Sequence, residues 1–503
     1  MVRWGAPQMS GNTMRIAGCS SLVAVLAVLG FGWPVGAQPT LPPNILPRSL
    51  ANPEHERLKQ DAEIAYQNSD FARCIDLTGR VLAQNPRDHV ALYLRASARV
   101  ELGALQRNVK EVRAGIEDAR EAMRHGGLDQ INYYLPYFYG MTALSQLEGR
   151  KDHAQVVVTY AAKLLARADL SPEEKANLLY QRATAYVALQ DLDAAAKDFT
   201  AAAAEMPSHL GARLGLADVY VQMQQPAKAE AAFTAAVESA PDNPLVYNNR
   251  GMFFQQQGKL REARDDFSKA LELNPSFAVA YTNRGFVAMS EGDPFAAEAD
   301  FTSSLKIDPN QPMVYSLRGT ARLAQGNPQG GLADYNHVLR FDPRNPVAQA
   351  DAGFAKYLAE DYAGAAAAFA QAVATDANLR YLNPWRYWAL VKAGQADAAN
   401  AQLSRMLNQP PQDKDWIDTV LRFLAGQLDE QRLLAAIDEK DGPLRDAQLC
   451  EAHYFLAEKK SREGDSPAAN RHYQQALDTK QVHLSAYRGA MYALKAFPKS
   501  PKT

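Results

Sequence analysis

Cysteine is scarce in this 503-residue chain: Cys19, Cys74 and Cys450 are the only three. No two of them stand at metal-ligand spacing, so neither a zinc site nor a disulfide framework can be read from them. A surplus of either charge is lacking too. Lys and Arg total 54 against 56 Asp and Glu, a formal net charge of −2, and no basic stripe stands ready to neutralise phosphates, which excludes nucleic acid as a default partner. No HExxH, GxSxG or GxxxxGK occurs and the nine histidines are dispersed, so no enzyme class, cofactor or metal is expected. The longest apolar run, residues 22–31 (LVAVLAVLGF), is about half of what crosses a bilayer. No run of alternating β-branched residues marks a strand. What remains is 47% hydrophobic and 22% charged, a globular composition that about 150 residues per domain would divide into three.

The apolar run has a context. Arg3 and Arg15 precede it, and Gly32, Trp33, Pro34, Val35, Gly36 and Ala37 follow. A basic segment, a short apolar core and small residues before a cut site describe a secretory signal peptide over residues 1–37, cleaved after Ala37. An uncleaved anchor is the alternative, and Met14 competes with Met1 as the start. Ile16-Ala17-Gly18-Cys19 is similar to a lipobox, but it precedes the apolar core where a lipobox follows it, so Cys19 is expected to leave with the leader. Membrane association then requires lipidation or failed cleavage. Removing two arginines and no acid takes the net charge from −2 to −4. The expected location is the periplasm or envelope of a bacterium, with Cys74 and Cys450 as buried, unpaired thiols. Prolines 39, 42, 43, 47 and 53 make residues 38–54 an extended linker.

The rest has a period. Pro207, Pro241, Pro275, Pro309 and Pro343 are spaced by 34 residues, and Pro411 falls two periods on. Phe199, Phe233, Phe267, Phe301, Tyr335 and Phe369 keep the same step, as do the small residues Ala183, Ala217, Gly251, Gly285, Gly319 and Gly353. A 34-residue step is the signature of helical hairpins. Small residues in the first helix let the second approach, aromatics fill the groove, and Gly258, Gly292 and Gly326 turn the chain between the two.

On these columns, and on residues 247–275 (YNNRGMFFQQQGKLREARDDFSKALELNP) above all, the sequence resembles the tetratricopeptide repeat family. The resemblance implies an all-α, right-handed superhelical solenoid of about twelve antiparallel helix hairpins. The register gives one repeat at 55–88, two longer irregular hairpins at 89–175, seven consecutive repeats at 176–413, a shortened pair at 414–446, a final repeat with a capping helix at 447–497 and a tail at 498–503. The domain estimate gives way to one stack.

A charged column is superimposed. Arg182 and Asp198, Arg250 and Asp266, Arg284 and Asp300, and Arg318 and Asp334 are each 16 residues apart. In the repeats at 210 and 346 both charges vanish together, as Leu216 with Ala232 and Ala352 with Ala368; Arg386 with Gln402 is the exception. Joint loss predicts ion pairs inside single hairpins rather than arginines gripping a ligand.

In the family, first helices line a concave face. Helical spacing directs Asn248, Met252, Gln255, Thr282, Phe286, Met289, Met313 and Thr320 into it, a stripe suited to an extended peptide or a partner helix, or else partly core between helices. The family's lysine and asparagine clamp for carboxyl-terminal peptides is not evident. His453 and His472 can meet in the last repeat as a surface pair, and Trp385 and Trp388 are expected to pack. Residues 450–480, with SAYRGAMYAL after them, look like the final module of NlpI-type envelope lipoproteins. That resemblance implies a scaffold bringing envelope proteases or peptidoglycan-remodelling enzymes to clients. The competing readings are an assembly factor for polysaccharide secretion or cytochrome maturation, and an enzyme with an unrecognised site. The oligomeric state stays open.

Overall fold

The turn inside each hairpin is set by one backbone position. Residues 190, 224, 258, 292, 326, 360 and 394 recur at the 34-residue step, and all have a left-handed backbone, with φ of 66°, 57°, 73°, 80°, 82°, 66° and 77°. Glycine fills four of them; Gln190, Gln224 and Glu360 fill the others against the steric preference of L-residues. The next residue caps the second helix: Asp191, Asp293, Asn327 and Asp361 accept the backbone N–H groups of Ala194, Ala296, Gly330 and Gly364, satisfying donors that a helix start leaves free.

A computed structural model describes residues 53–408, 415–437 and 442–495, and among them there is no strand. The leader, nearly all of the linker, Pro411 and the tail lie outside those residues. The helices pair as α1 (Pro53–Gln67) with α2 (Phe71–Gln84), α3 (His89–Leu105) with α4 (Val109–Gly126), α5 (Tyr134–Glu148) with α6 (Lys151–Leu165), and α7 (Pro172–Leu189) with α8 (Leu192–Glu205). Next come α9 (Leu210–Gln222) with α10 (Pro226–Ser239), α11 (Pro244–Gln256) with α12 (Leu260–Leu273), α13 (Ala278–Ser290) with α14 (Pro294–Ile307), and α15 (Pro312–Ala324) with α16 (Pro328–Phe341). The last are α17 (Pro346–Leu358) with α18 (Tyr362–Thr375), α19 (Asn383–Lys392) with α20 (Ala396–Leu407), α21 (Trp416–Leu424) with α22 (Glu430–Ala435), α23 (Gly442–Arg462) with α24 (Ser466–Asp478), and α25 (Ser485–Leu494). The chain divides into two compact units between Phe253 and Phe254, within α11. None of the described helices is long and apolar enough to cross a membrane.

In both units each hairpin packs on the next, an all-α repeat solenoid. The periodic aromatics are its filling: Phe199, Phe233, Phe267, Phe301, Tyr335 and Phe369 are buried. The small column is small because the ring lies on it. A Cβ on Gly285 would stand 2.8 Å from Phe301, one on Gly353 2.6 Å from Phe369, and one on Gly319 3.0 Å from Tyr335. Burying each ring stabilises by about 2–3 kcal/mol. Cys74 and Cys450 are buried and free.

Unit 2 ends differently from a stack that runs on evenly. The pair α21 and α22 has only nine and six residues, too short to cover a full hairpin face, and the chain after it turns back. Tyr454 of α23 stacks on Trp385 of α19 with ring centroids 4.7 Å apart, and its hydroxyl donates to Tyr357 Oη of α17 at 3.3 Å. Tyr492 of α25 donates to the Leu323 carbonyl of α15 at 2.9 Å. Lys392 and Glu458 pair at 2.8 Å. One continuous core joins Phe354, Tyr357, Trp385 and Trp388 to Tyr454, Phe455 and Ala490.

The turn column is testable. No atom lies within 4 Å of a Cβ placed on Gly292, so Gly292→Ala meets backbone strain alone and is expected to lose about 1 kcal/mol. Gln224→Gly and Glu360→Gly are expected to gain up to about 1 kcal/mol each, the released strain outweighing the added freedom of the unfolded chain. Urea unfolding measures both, and equal stability of all three variants with the parent would refute the account.

Candidate functional site

The charged column lies within the hairpins. Arg182 of α7 donates to both Asp198 oxygens of α8 at 2.6 and 2.8 Å. Arg284 does so with Asp300 at 2.9 and 2.8 Å, and Arg318 with Asp334 at 3.0 and 2.7 Å. The remaining N–H groups reach the preceding second helix: Arg284 Nη1 to Ser268 Oγ at 3.2 Å and Arg318 Nη1 to Thr302 Oγ1 at 3.4 Å. A tyrosine three residues before backs Arg284 and Arg318, Tyr281 at 5.7 Å and Tyr315 at 5.4 Å, and Tyr247 backs Arg250 at 5.9 Å. Arg250 and the buried Asp266 fall on opposite sides of the unit division.

Two members of this column differ from the rest. In the irregular hairpin α3–α4, Asp118 takes Arg95 at 2.8 and 2.7 Å and Arg99 at 2.9 Å; the offset of 23 residues hid this pair from a search at 16. At the other end Arg386 finds no acid. Its Nε and both polar atoms of Gln402 are buried without hydrogen bonds, and burial, then the nearby Arg405, push the guanidinium below its ordinary range.

The expected binding stripe splits by depth. Asn248, Thr282, Phe286 and Thr320 are buried, whereas Met252, Gln255, Met289 and Met313 are half-buried. Thr282 bonds to Ser304 Oγ of α14 at 2.9 Å and Thr320 to Tyr335 Oη of α16 at 3.1 Å, so both hydroxyls serve the hairpin interior. Phe286 belongs to the core with Phe301 and Leu317, and Met289 and Met313 pack at its edge. Further along unit 2, α23 and α25 lie against α15, α17 and α19, so the chain's own C-terminal helices cover first-helix surface there. Trp385 and Trp388 are buried in that contact.

Unit 1 presents a different set. Glu101 of α3, Tyr139 of α5, Tyr180 of α7 and Asp218 of α9 come from four successive first helices, and all four are half-buried. The Tyr139 hydroxyl donates to Glu101 Oε2 at 3.2 Å. Tyr180 lies within electrostatic reach of both Glu101 and Asp218, and its ring stands 5.0 Å from that of His209. Burial pushes the Glu101 carboxyl up to about 7, with the Tyr139 hydrogen bond working against it, and burial alone pushes Asp218 to about 7. His209 is held neutral: burial lowers it, and its Nδ1 accepts the Ala212 N–H at 3.1 Å. These four residues escaped the sequence reading. Tyr180 and Asp218 occupy the fifth and ninth positions of repeats at 176 and 210, so the rule used for the central repeats reaches them when carried outward; Glu101 and Tyr139 sit where no 34-residue register exists.

His453 and His472 do meet, Nδ1 to Nδ1 at 3.2 Å, with Glu430 Oε1 3.4 Å from His472 Nε2. Burial, then His472, lowers His453 to about 4. No group of three or more His, Cys, Asp or Glu able to hold a metal occurs among the described residues.

Two outcomes follow for this chemistry. Asp198→Ala strands a half-buried guanidinium and is expected to lose about 3 kcal/mol, while the double change Arg182→Leu with Asp198→Ala, copying the pair at 216 and 232, is expected to restore most of it; a double variant as unstable as the single one would contradict the pairing. Asp218 has a folded-state value raised above its unfolded one, so its contribution to stability is fullest at low pH and is lost as pH rises towards 7. Asp218→Asn is therefore expected to match the parent near pH 4 and exceed it by about 1–3 kcal/mol at pH 8, measured by thermal unfolding across that range.

Comparison with known proteins adds the following. A family model described as tetratricopeptide repeat matches residues 186–249, and another of the same description matches 244–277. Similar solved structures include YrrB, described as a tetratricopeptide protein with an unusual peptide-binding site, at 20% identity over 36% of this chain and 93% of that one, TM-score 0.33. PilW, described as a type IV pilus biogenesis factor, is 24% identical over 44% of this chain and 98% of its own, TM-score 0.35. PilF of Pseudomonas aeruginosa is 22% identical over 41% and 94%, TM-score 0.37. Among curated proteins none matches. With the 34-residue hairpin register present in both units and two family models falling on its central repeats, the chain is a tetratricopeptide-repeat protein.

Proposed function

We propose that the protein is an exported, non-catalytic adaptor that holds an extended segment of a partner protein against its first helices. One observation carries this reading. Along unit 1, four consecutive first helices carry half-buried polar and aromatic side chains, Glu101, Tyr139, Tyr180 and Asp218, with Tyr139 hydrogen-bonded to Glu101. The charges of the arginine column, by contrast, are consumed inside the hairpins. A partly dehydrated surface of polar and aromatic side chains suits a ligand. The export reading rests on residues 1–37, and the resemblance of residues 450–480 to NlpI-type lipoproteins supports envelope proteases or peptidoglycan-remodelling enzymes as the class of partner.

Photo-crosslinking in living cells tests this. p-Benzoylphenylalanine at Met252, on a first helix, is expected to capture protein partners, whereas the same group at the exposed Lys197 of α8 is not. Mass spectrometry of the same preparation is expected to find Gln38 at the N-terminus. Equal capture from both positions would overturn the adaptor surface, and a retained residue 1–37 segment would overturn cleavage.

A further inference from the structure

At one hairpin of unit 2 the arginine column loses its support on every side at once. Arg318 is held by Asp334 of its own second helix, by Thr302 of the preceding second helix and by the ring of Tyr315 three residues before it. Two repeats on, the same positions around Arg386 are Gln402 of α20, Ala370 of α18 and Asn383 of α19. None of them holds the guanidinium. Arg386 Nε, both polar atoms of Gln402 and Asn383 Oδ1 are buried without hydrogen bonds. A further position adds charge of the same sign. His337, three residues after Asp334, stacks on Tyr315 with ring centroids 3.8 Å apart, so this position lies against the column, and its counterpart on α20 is Arg405. Arg405 is exposed and acts electrostatically on the half-buried Arg386. Nothing acidic answers the two: burial and Arg405 are what act on Arg386.

A partly dehydrated guanidinium without an acid costs free energy, and a carboxylate seated on its fork returns it. Where the column is complete, that carboxylate lies on Nε and Nη2 together, as Asp198, Asp300 and Asp334 do. We propose that Arg386, Arg405 and Gln402 form a binding site for a carboxylate brought by another molecule, which makes from outside the contact that Asp334 makes from within. Gln402 stands where the aspartate stands elsewhere, and no hydrogen bond holds its side chain there, so it is free to turn aside and offer its amide N–H to the ligand. Arg405, one turn along α20 on the same face, supplies a second cation. By the register of the column the site lies between the second helices α18 and α20. It is therefore separate from the first-helix surface assigned to the partner segment and does not rest on that reading.

The test follows the Arg386 Nε–H signal by NMR in the whole chain carrying isotope-labelled arginine, the signal being assigned by its loss in Arg386→Lys. Acetate is expected to move it saturably in the millimolar range, beyond the effect of chloride at equal ionic strength. Arg405→Gln is expected to weaken that binding about threefold. Gln402→Asp, which copies the complete hairpins and whose folding is checked by thermal unfolding, is expected to abolish the response by filling the site from within. The source of the carboxylate is read from the same signal. N-acetyl-aspartate N-methylamide binding more tightly than acetate identifies a carboxylate carried on a partner chain, equal binding identifies a small free acid, and movement on dilution of the protein alone identifies a second copy. A signal indifferent to acetate, one moved as far by chloride, or a response that survives in Gln402→Asp overturns the site.

Discussion

Everything in this architecture depends on how closely the two helices of a hairpin approach. The distance is set where an aromatic ring on the second helix lies on a residue with almost no side chain on the first, as Phe301 lies on Gly285 and Phe369 on Gly353. A larger residue there would separate the helices, expose the ring and break the contact the next hairpin needs. The turn position and the cap after it serve the same contact by fixing the angle at which the second helix starts. Because each hairpin buries its remaining face only on a neighbour, one local constraint repeated at a fixed step becomes the core of each unit.

The arginine column shows what this geometry does with charge. A guanidinium between its own second helix and the preceding one, faced by aspartate and backed by tyrosine, is held from three sides. Such pairs add little net stability against apolar substitutes, and the hairpins at 210 and 346 form with uncharged residues in their place, but they penalise any register in which the acid is missing. Arg386 beside Gln402 is the one hairpin where the first half of the device stands without the second. Charge placed inside hairpins leaves the first-helix surface to be defined by other residues. In unit 1 those are two carboxylates and tyrosines.

Legibility in the sequence followed the period. Helix pairs, turns, the aromatic filling and three of the arginine–aspartate contacts could be read because a column of six residues reports on a shared environment. Asp118 with its two arginines was hidden because α3 and α4, of 17 and 18 residues, are longer than the helices of a regular repeat, so the same contact falls at another spacing. The binding stripe was legible as a direction but not as a depth. Thr282 and Thr320 are polar yet face hairpin partners, a distinction decided by a second-helix hydroxyl that the spacing of the first helix cannot report. The returning C-terminal helices were hidden for a related reason: the contact of Tyr492 with Leu323 spans 169 residues, far outside any local pattern.

That last contact gives the two units different relations to protein synthesis. A hairpin stack made of near neighbours can assemble as it emerges from the ribosome, one repeat after another. Unit 1 has this property. In unit 2 the surface of α15, α17 and α19 receives its cover from α23 and α25 across separations of 97 and 169 residues, so the apolar face of those three first helices stands open until α23 and α25 have been made. A premature stop between α19 and α23 would leave that face permanently bare. α23 and α25 thus act as a certificate that the stack has received its cover, and quality-control machinery that recognises exposed apolar helices would find its signal in copies truncated before them.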